Sequence, residues 1–166
     1  MKMKKLVSRI MAFALTMIMV LGMSMSALAA SNLNISGTKT NGKVEAFKLF
    51  NRTESTVNGK KAVSYTLNKK YEGYFTQEGK DGYGKTGDAL SAAAYEYVSR
   101  LSGAEKATDL SQFAADMWKW LASQSGMTAD ATVDATAGTT TLSLDAGYYL
   151  VFPAGASVLK DAAKSP

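Results

Sequence analysis

The alternation of apolar and polar positions divides the chain beyond residue 30 into three successive parts. From residue 31 to residue 76, short apolar runs are separated by turn-forming stretches, a pattern typical of strands. Asn58-Gly59 stands between two of these runs, and this dipeptide favours the tight turn of a hairpin. The pattern therefore predicts strands over 31–76, with a hairpin at this dipeptide.

The middle part, residues 86–125, changes to a spacing of three and four residues between apolar positions. These positions are Leu90, Ala93, Ala94, Tyr97, Val98 and Leu101, then Leu110, Phe113, Ala114, Met117, Trp118 and Leu121. The spacing predicts two amphipathic helices. We expect Thr86 or Asp88 to cap the first helix, and Asp109 with Gln112 to form a capping box at the start of the second.

Strand patterns return in residues 131–152, where TTTLSL and GYYLVF are joined by Asp145-Ala146-Gly147. The order of strands, helices and strands lacks the regular alternation of a parallel nucleotide-binding sheet. It favours an α+β fold that is mainly β and antiparallel.

The first 29 residues have the charged, apolar and small-residue order of a secretory signal peptide. Ala27 and Ala29 supply the small residues of a cleavage site, so we expect the cut after Ala29, with a cut after Ala30 less favoured. The alternative is an uncleaved membrane anchor, because the apolar run approaches the length of a spanning helix. With either outcome, residues 30–166 are expected to lie outside the cytoplasm.

Charge and composition exclude several classes of function. Removal of the four basic residues of the signal lowers the formal net charge from +5 to about +1, which gives no electrostatic footprint for nucleic acid. The chain has no Cys and no His, so disulfides, a Cys nucleophile, a Ser-His-Asp triad and the usual zinc ligands are absent. We predict no enzymatic activity, no cofactor and no metal site.

The stretch Gly79–Thr86, GKDGYGKT, fits the phosphate-binding pattern G-x-x-x-x-G-K-[ST]. A working loop of this kind follows a buried apolar strand, whereas the preceding KKYEGYFTQE is polar and contains Gly73. We interpret the stretch as a Gly-rich connection, and nucleotide binding is only a remote alternative.

Lys48 is the most informative residue for chemistry. In the strand KVEAFKLF, alternation places it with Val44, Ala46 and Phe50, so it shares a face with apolar neighbours. An inward lysine must be paired or lose its proton, and a neutral lysine is a nucleophile. The alternative is that Phe47 and the residues on its side form the core face and that Lys48 is a solvated edge charge.

Aromatic residues are frequent in the predicted helices. Tyr95, Tyr97, Trp118 and Trp120 could form a ligand-binding box, but at helical spacing such residues more often pack helices against a sheet. We therefore expect them to be packing residues.

The segments AFKLF, SYTLN, KYEGYF, AYEYVSRL, FAADMWKWL and GYYLVF occur in this order behind an export signal. Together, over residues 43–152, they resemble the N-terminal domain of Gram-positive sortase-assembled pilin subunits, which are isopeptide-forming fimbrial proteins. The resemblance implies an immunoglobulin-like β-sandwich of the collagen-adhesin B type with an inserted two-helix segment. It also implies a lysine joined to a late-strand asparagine by a self-formed amide bond, assisted by a buried carboxylate. By position, Lys48 matches that lysine.

The chain departs from the family pattern in its later part. No Asn follows Asn68, and Pro153 stands about where related domains carry the assisting Glu. Asp145 or Asp161 could replace the asparagine, but nothing selects either of them. A Leu-Pro-x-Thr-Gly sorting signal and a Tyr-Pro-Lys assembly motif are also absent. We therefore expect residues 30–166 to be an incomplete pilin-type domain whose last strand is missing.

The resemblance implies a non-enzymatic structural subunit of a pilus or cell-wall protein, on the surface of a Gram-positive bacterium. Its implied partners are other pilin subunits joined by sortase, and a membrane would be met only through the uncleaved signal. The alternative is a secreted adhesin-type module that recognises a host glycan or protein through its aromatic helical segment.

Overall fold

Described residues of the computed structural model run from 31 to 152, except positions 39, 41, 102 and 103. The predicted cleavage residues Ala29 and Ala30 lie outside this part of the chain, as do Pro153 and Asp161. Within it, no helix is long and apolar enough to span a membrane.

Six strands and three helices form the described part of the chain. The strands are β1 (Ser31–Thr38), β2 (Lys43–Val57), β3 (Lys60–Leu67), β4 (Ala131–Asp134), β5 (Gly138–Leu144) and β6 (Gly147–Phe152). The helices are α1 (Glu72–Phe75), α2 (Gly87–Ser99) and α3 (Ala107–Ser123), and short 3-10 turns precede α1 and α3. All strand pairs are antiparallel, so the predicted α+β arrangement of mainly antiparallel strands is confirmed.

The long strand β2 organises the larger sheet. One edge of β2 pairs with β6, and the other edge pairs with β3 along its second half and with β4 along its first half. The β2–β3 hairpin turns at Asn58 and Gly59, both with positive φ, which confirms the predicted turn. The smaller sheet consists of β1 and β5.

Where β2 pairs with β6, the larger sheet is buried on both faces. On one face it packs against the smaller sheet through what we call the sandwich core: Leu33, Ile35, Val44, Ala46, Ala135, Leu142, Leu144, Tyr149 and Val151. On the other face, side chains such as Phe47, Leu150 and Phe152 pack against the helices in a second cluster, the helical core. The molecule is therefore layered as sheet, sheet and helices.

One helix start and one strand segment differ from the sequence predictions. The strands end at Leu67, and the segment up to Thr76 forms a 3-10 turn and α1, because its apolar residues Tyr71, Tyr74 and Phe75 follow helical spacing and are all buried. Helix α3 begins at Ala107, so the predicted capping box at Asp109 is wrong.

Both predicted caps lack their expected hydrogen bonds. Asp109 lies inside the first turn of α3, where its carboxylate pairs with Lys106 at 3.5 Å. Thr86 does occupy the cap position of α2, but its side chain makes no capping hydrogen bond.

Candidate functional site

A β-bulge in β2 decides where Lys48 and its neighbours point. Lys48 lies opposite Tyr149, but Phe50 lies opposite Tyr148, so β2 has one extra residue, Leu49, at this point. Leu49 and Phe50 consequently both enter the helical core. The expectation that Phe50 shares the face of Lys48 is therefore wrong.

Lys48 lies at the border of the sandwich core. Val44 and Ala46, which precede it on the same face of β2, are fully buried, and its cross-strand neighbour Tyr149 belongs to the same core. The Lys48 side chain itself is only half-buried. Each face of β2 is a core face, and Lys48 lies where the face of the sandwich core reaches solvent. The inward position and the solvated edge position predicted for Lys48 therefore each hold in part.

The lysine stem runs across Gly147. A Cβ built on Gly147 would lie 2.5 Å from Lys48 Cε and 2.8 Å from the Phe50 carbonyl oxygen, so only glycine leaves this path open. The ammonium lies 5.7 Å from the centroid of the Tyr149 ring. Among the described residues, no carboxylate forms an ion pair with Lys48, and Asp145, the acidic alternative to asparagine, is exposed.

Asp130 fills the gap that β3 and β4 leave along one edge of β2. Its carboxylate accepts a hydrogen bond from the backbone N–H of Lys48 at 2.7 Å and one from the Tyr71 hydroxyl at 3.1 Å. The other carboxylate oxygen pairs with the Lys70 ammonium at 2.6 Å. One side chain therefore satisfies the bulged strand and ties the loop before β4 to the turn before α1.

The Tyr71 hydroxyl is held in its protonated form. Burial, and then the charge and hydrogen bond of Asp130, raise the pKa of Tyr71 far above its usual value. The same directions apply to Tyr149, where burial acts with the charges of Asp145 and Asp130 to raise the pKa. These tyrosines therefore act as neutral hydrogen-bonding and packing groups at ordinary pH.

The Gly-rich stretch 79–86 is a loop of successive turns between α1 and α2. Its Lys85 ammonium donates to the carbonyl oxygen of Asp81 at 2.5 Å, within the same loop. Gly82 is buried where a Cβ would lie 2.4 Å from Leu90 Cδ1 and 2.7 Å from the Phe75 carbonyl oxygen. No strand leads directly into this loop, and the interpretation as a structural connection is favoured over phosphate binding.

The four helical aromatic residues are used in packing. Tyr95 stacks on Tyr65 with ring centroids 4.8 Å apart, and Tyr97 meets Phe113 edge to face. The ring centroids of Trp118 and Phe152 are 4.7 Å apart, and those of Trp120 and Tyr74 are 5.8 Å apart. All four helical rings therefore lie against the helical core.

An open groove of about 480 Å³ lies between the start of β2 and the end of α3. Its apolar lining includes Phe47, Trp118, Leu121 and Met127. Over the described ranges, no group of acidic residues has the arrangement of a metal site.

Sequence reasoning selected Lys48 but missed Asp130, because one isolated aspartate before a short strand gives no signal until the bulge is known.

Comparison of the chain with protein-family models, with curated proteins and with solved structures found no match.

Proposed function

We propose that the chain is the pilin-type domain of a structural subunit of a surface fibre in a Gram-positive bacterium, and that Lys48 forms its intramolecular isopeptide bond. The observation that carries the proposal is the position of Lys48. It is a lysine on the central strand of the larger sheet, at the border of the sandwich core, without an ion-pair partner among the described residues.

The surroundings of Lys48 suit amide formation. The amine must be neutral to attack, and its Nζ lies 5.7 Å from the centroid of the Tyr149 ring without a carboxylate partner among the described residues. In the proposed reaction, the Lys48 Nζ bonds to the side-chain carbonyl carbon of an asparagine, the bond from that carbon to the amide nitrogen breaks, and ammonia leaves. No oxidant, metal or second enzyme is needed.

The proposed partner comes from a strand added beside β6, the strand that carries Tyr149 opposite Lys48. Among the described residues, the edge of β6 that faces away from β2 has no strand partner. A strand there would lie next to the path of the lysine stem over Gly147. We place the asparagine on that strand, and the finer classification as an immunoglobulin-like sandwich of the collagen-adhesin B type is part of the same proposal.

The composition of the chain supports a mechanical role for the domain. A chain without Cys has no disulfide to hold its strands under tension. An amide between two strands gives a covalent connection that does not depend on the redox state. In this proposal the domain is exported, joined to other subunits by sortase, and performs no enzymatic turnover of its own.

The test compares the intact mass of the full-length protein, purified from its own host, with the masses of two variants. We expect the native protein to lack the mass of one ammonia, the Lys48→Ala variant to have its full sequence mass, and the control Lys43→Ala to keep the deficit. Lys43 is a suitable control because it lies on the same strand with its side chain two-thirds exposed. A native mass equal to that of the sequence, or a deficit that persists without Lys48, contradicts the proposal.

A secreted binding module is the second candidate, and the groove beside Trp118 is the observation that favours it. Aromatic floors with polar rims suit glycans, and the rim here carries Lys43, Glu45 and Thr132. A glycan and matrix-protein binding screen of the native protein and of Trp118→Ala tests this candidate. Binding that the substitution removes would favour the adhesin, whereas a fibre component should bind nothing there.

A further inference from the structure

The outer edge of β3 is an open strand edge on the β2–β3 hairpin. Two hydrogen bonds fix which of its peptide groups face outward. The Asn68 N–H donates to the Leu49 carbonyl of β2 at 2.8 Å, whereas the Leu67 N–H donates away from β2, to Ser91 Oγ of α2 at 2.7 Å. Because successive peptide groups of a strand alternate in direction, those of Lys61, Val63 and Tyr65 also point outward.

These three peptide groups have no hydrogen-bond partner in the described part of the chain. The side chains of residues 60–64 are exposed, and Val63 is exposed by 46%, so the edge is open to solvent. Val63 is one of three large apolar side chains that are exposed in the same part, with Val57 and Tyr83. An open edge of this kind is a template for a further strand.

We propose that this edge pairs with the same edge of a second copy of the chain, antiparallel and with a two-fold axis at Val63. In this register Val63 faces Val63 of the second copy, and Lys61 faces Tyr65 of the second copy. It is the register in which all three outward groups of each copy find a partner. The surface is therefore self-complementary, as a two-fold interface requires.

Charge favours the antiparallel direction. The basic pair Lys60 and Lys61 stands at the tip of the hairpin. Parallel pairing would place the two basic pairs side by side, whereas the proposed register separates equivalent lysines by about 14 Å or more along the strands, beyond the screening length of about 8–10 Å. It also brings each Lys61 ammonium next to a phenol ring rather than next to another cation.

The N-terminal half of α2, which contains Ser91, sets the limit of the interface. Leu67 is already bonded to the buried Ser91, so a register shifted toward α2 would meet a peptide group that is in use. A register shifted toward the tip would bring the basic pairs closer together. The contact is small, so we expect a weak dimer that forms at high local concentration. The inference does not use Lys48 and stands apart from the proposed function.

Single cysteines provide the first test, because the native chain has none and every disulfide must join two copies. Opposed residues of a hydrogen-bonded antiparallel pair have Cα atoms about 5.5 Å apart, a distance that a disulfide bridges. We expect Val63→Cys to form covalent dimers under mild oxidation at least about tenfold faster than Thr56→Cys, since effective concentration governs linkage. Thr56 is the matched control because it is exposed on the same hairpin but lies on the inner strand, opposite Lys61.

Sedimentation of the full-length protein over a range of concentrations is the second test. Val63→Pro removes an outward N–H and no bond to β2, so the fold should persist. The dissociation constant of the dimer should rise about tenfold or more, because two intermolecular hydrogen bonds are lost. Val63→Lys should do the same through opposed charges, and far-UV circular dichroism checks both folds. Equal crosslinking rates for the two cysteine variants, or native sedimentation that does not change with concentration, overturns the proposal.

Discussion

Removal of the Asp130 carboxylate tests the account of the bulged strand most sharply. Asp130→Ala removes the acceptor of the Lys48 backbone N–H, the acceptor of the Tyr71 hydroxyl and the partner of Lys70. The first two bonds are each worth about 1 kcal/mol. The ion pair adds little, about 0–1 kcal/mol, because the Lys70 and Asp130 side chains are 29% and 27% exposed. We therefore expect a loss of about 2–3 kcal/mol in the free energy of unfolding.

Two further variants divide this loss into its parts. Tyr71→Phe removes one hydrogen bond and keeps the packing of a fully buried ring, so it should cost about 1 kcal/mol. Asp134→Ala is the matched control, because that carboxylate lies on the same strand region, is 89% exposed and meets Lys43 only at 3.9 Å. Its effect should stay within about 0.5 kcal/mol.

Urea-induced unfolding followed by circular dichroism measures these differences, provided the slope against denaturant is unchanged. The ordering Asp130→Ala, Tyr71→Phe, Asp134→Ala is the expected result. If the first and the last variant lose the same stability, the carboxylate does not hold the bulge and the reasoning is refuted.

Three other predictions use different parts of the molecule. Gly147→Ala should destabilise the protein by about 1–3 kcal/mol, because the added methyl group would meet the Phe50 carbonyl oxygen. The control Gly73→Ala, whose Cβ would lie 3.4 Å from a Trp120 ring atom, should be near neutral, and equal urea midpoints for the two variants would contradict this. The free energy of unfolding should fall between pH 10 and about 12, because burial raises the pKa of Tyr148 to about 12 and the unfolded chain releases that proton at lower pH. Tyr148→Phe should reduce this fall, and a pH profile that the substitution leaves unchanged would contradict the role of Tyr148. Titration calorimetry with MgATP should give no binding heat for the native protein, and binding that Lys85→Ala abolishes would reinstate the nucleotide alternative.

Local sequence signals predicted the elements that depend on local physics. The Asn58-Gly59 turn carries a turn dipeptide, the two longer helices carry a periodicity, and the strand GYYLVF is a short apolar run; none of these signals needs a distant partner. Their order then indicated an antiparallel α+β fold. The same signals placed Lys48 on a strand whose face includes Val44.

The features that could not be predicted from the sequence depend on contacts between distant residues. The bulge at Leu49 turns Phe50 to the other face, and nothing in KLF marks an unpaired residue until β6 is aligned with β2. Asp130 gains its role only from this bulge, 82 positions away along the chain. The start of α3 at Ala107, two residues before the cap predicted at Asp109, has no signal in the sequence that we identified.

The central claim is that Lys48 is covalently bound through its side chain, and peptide mapping of the native protein tests it most directly. Trypsin cleaves after free lysine and arginine, so an unmodified chain should be cut after Lys43, Lys48 and Arg52. An acylated Lys48 resists cleavage, and we predict one branched peptide that spans residues 44–52 and carries a second, asparagine-derived peptide with the loss of one ammonia. Recovery of separate, unbranched peptides that end at Lys48 would contradict the account.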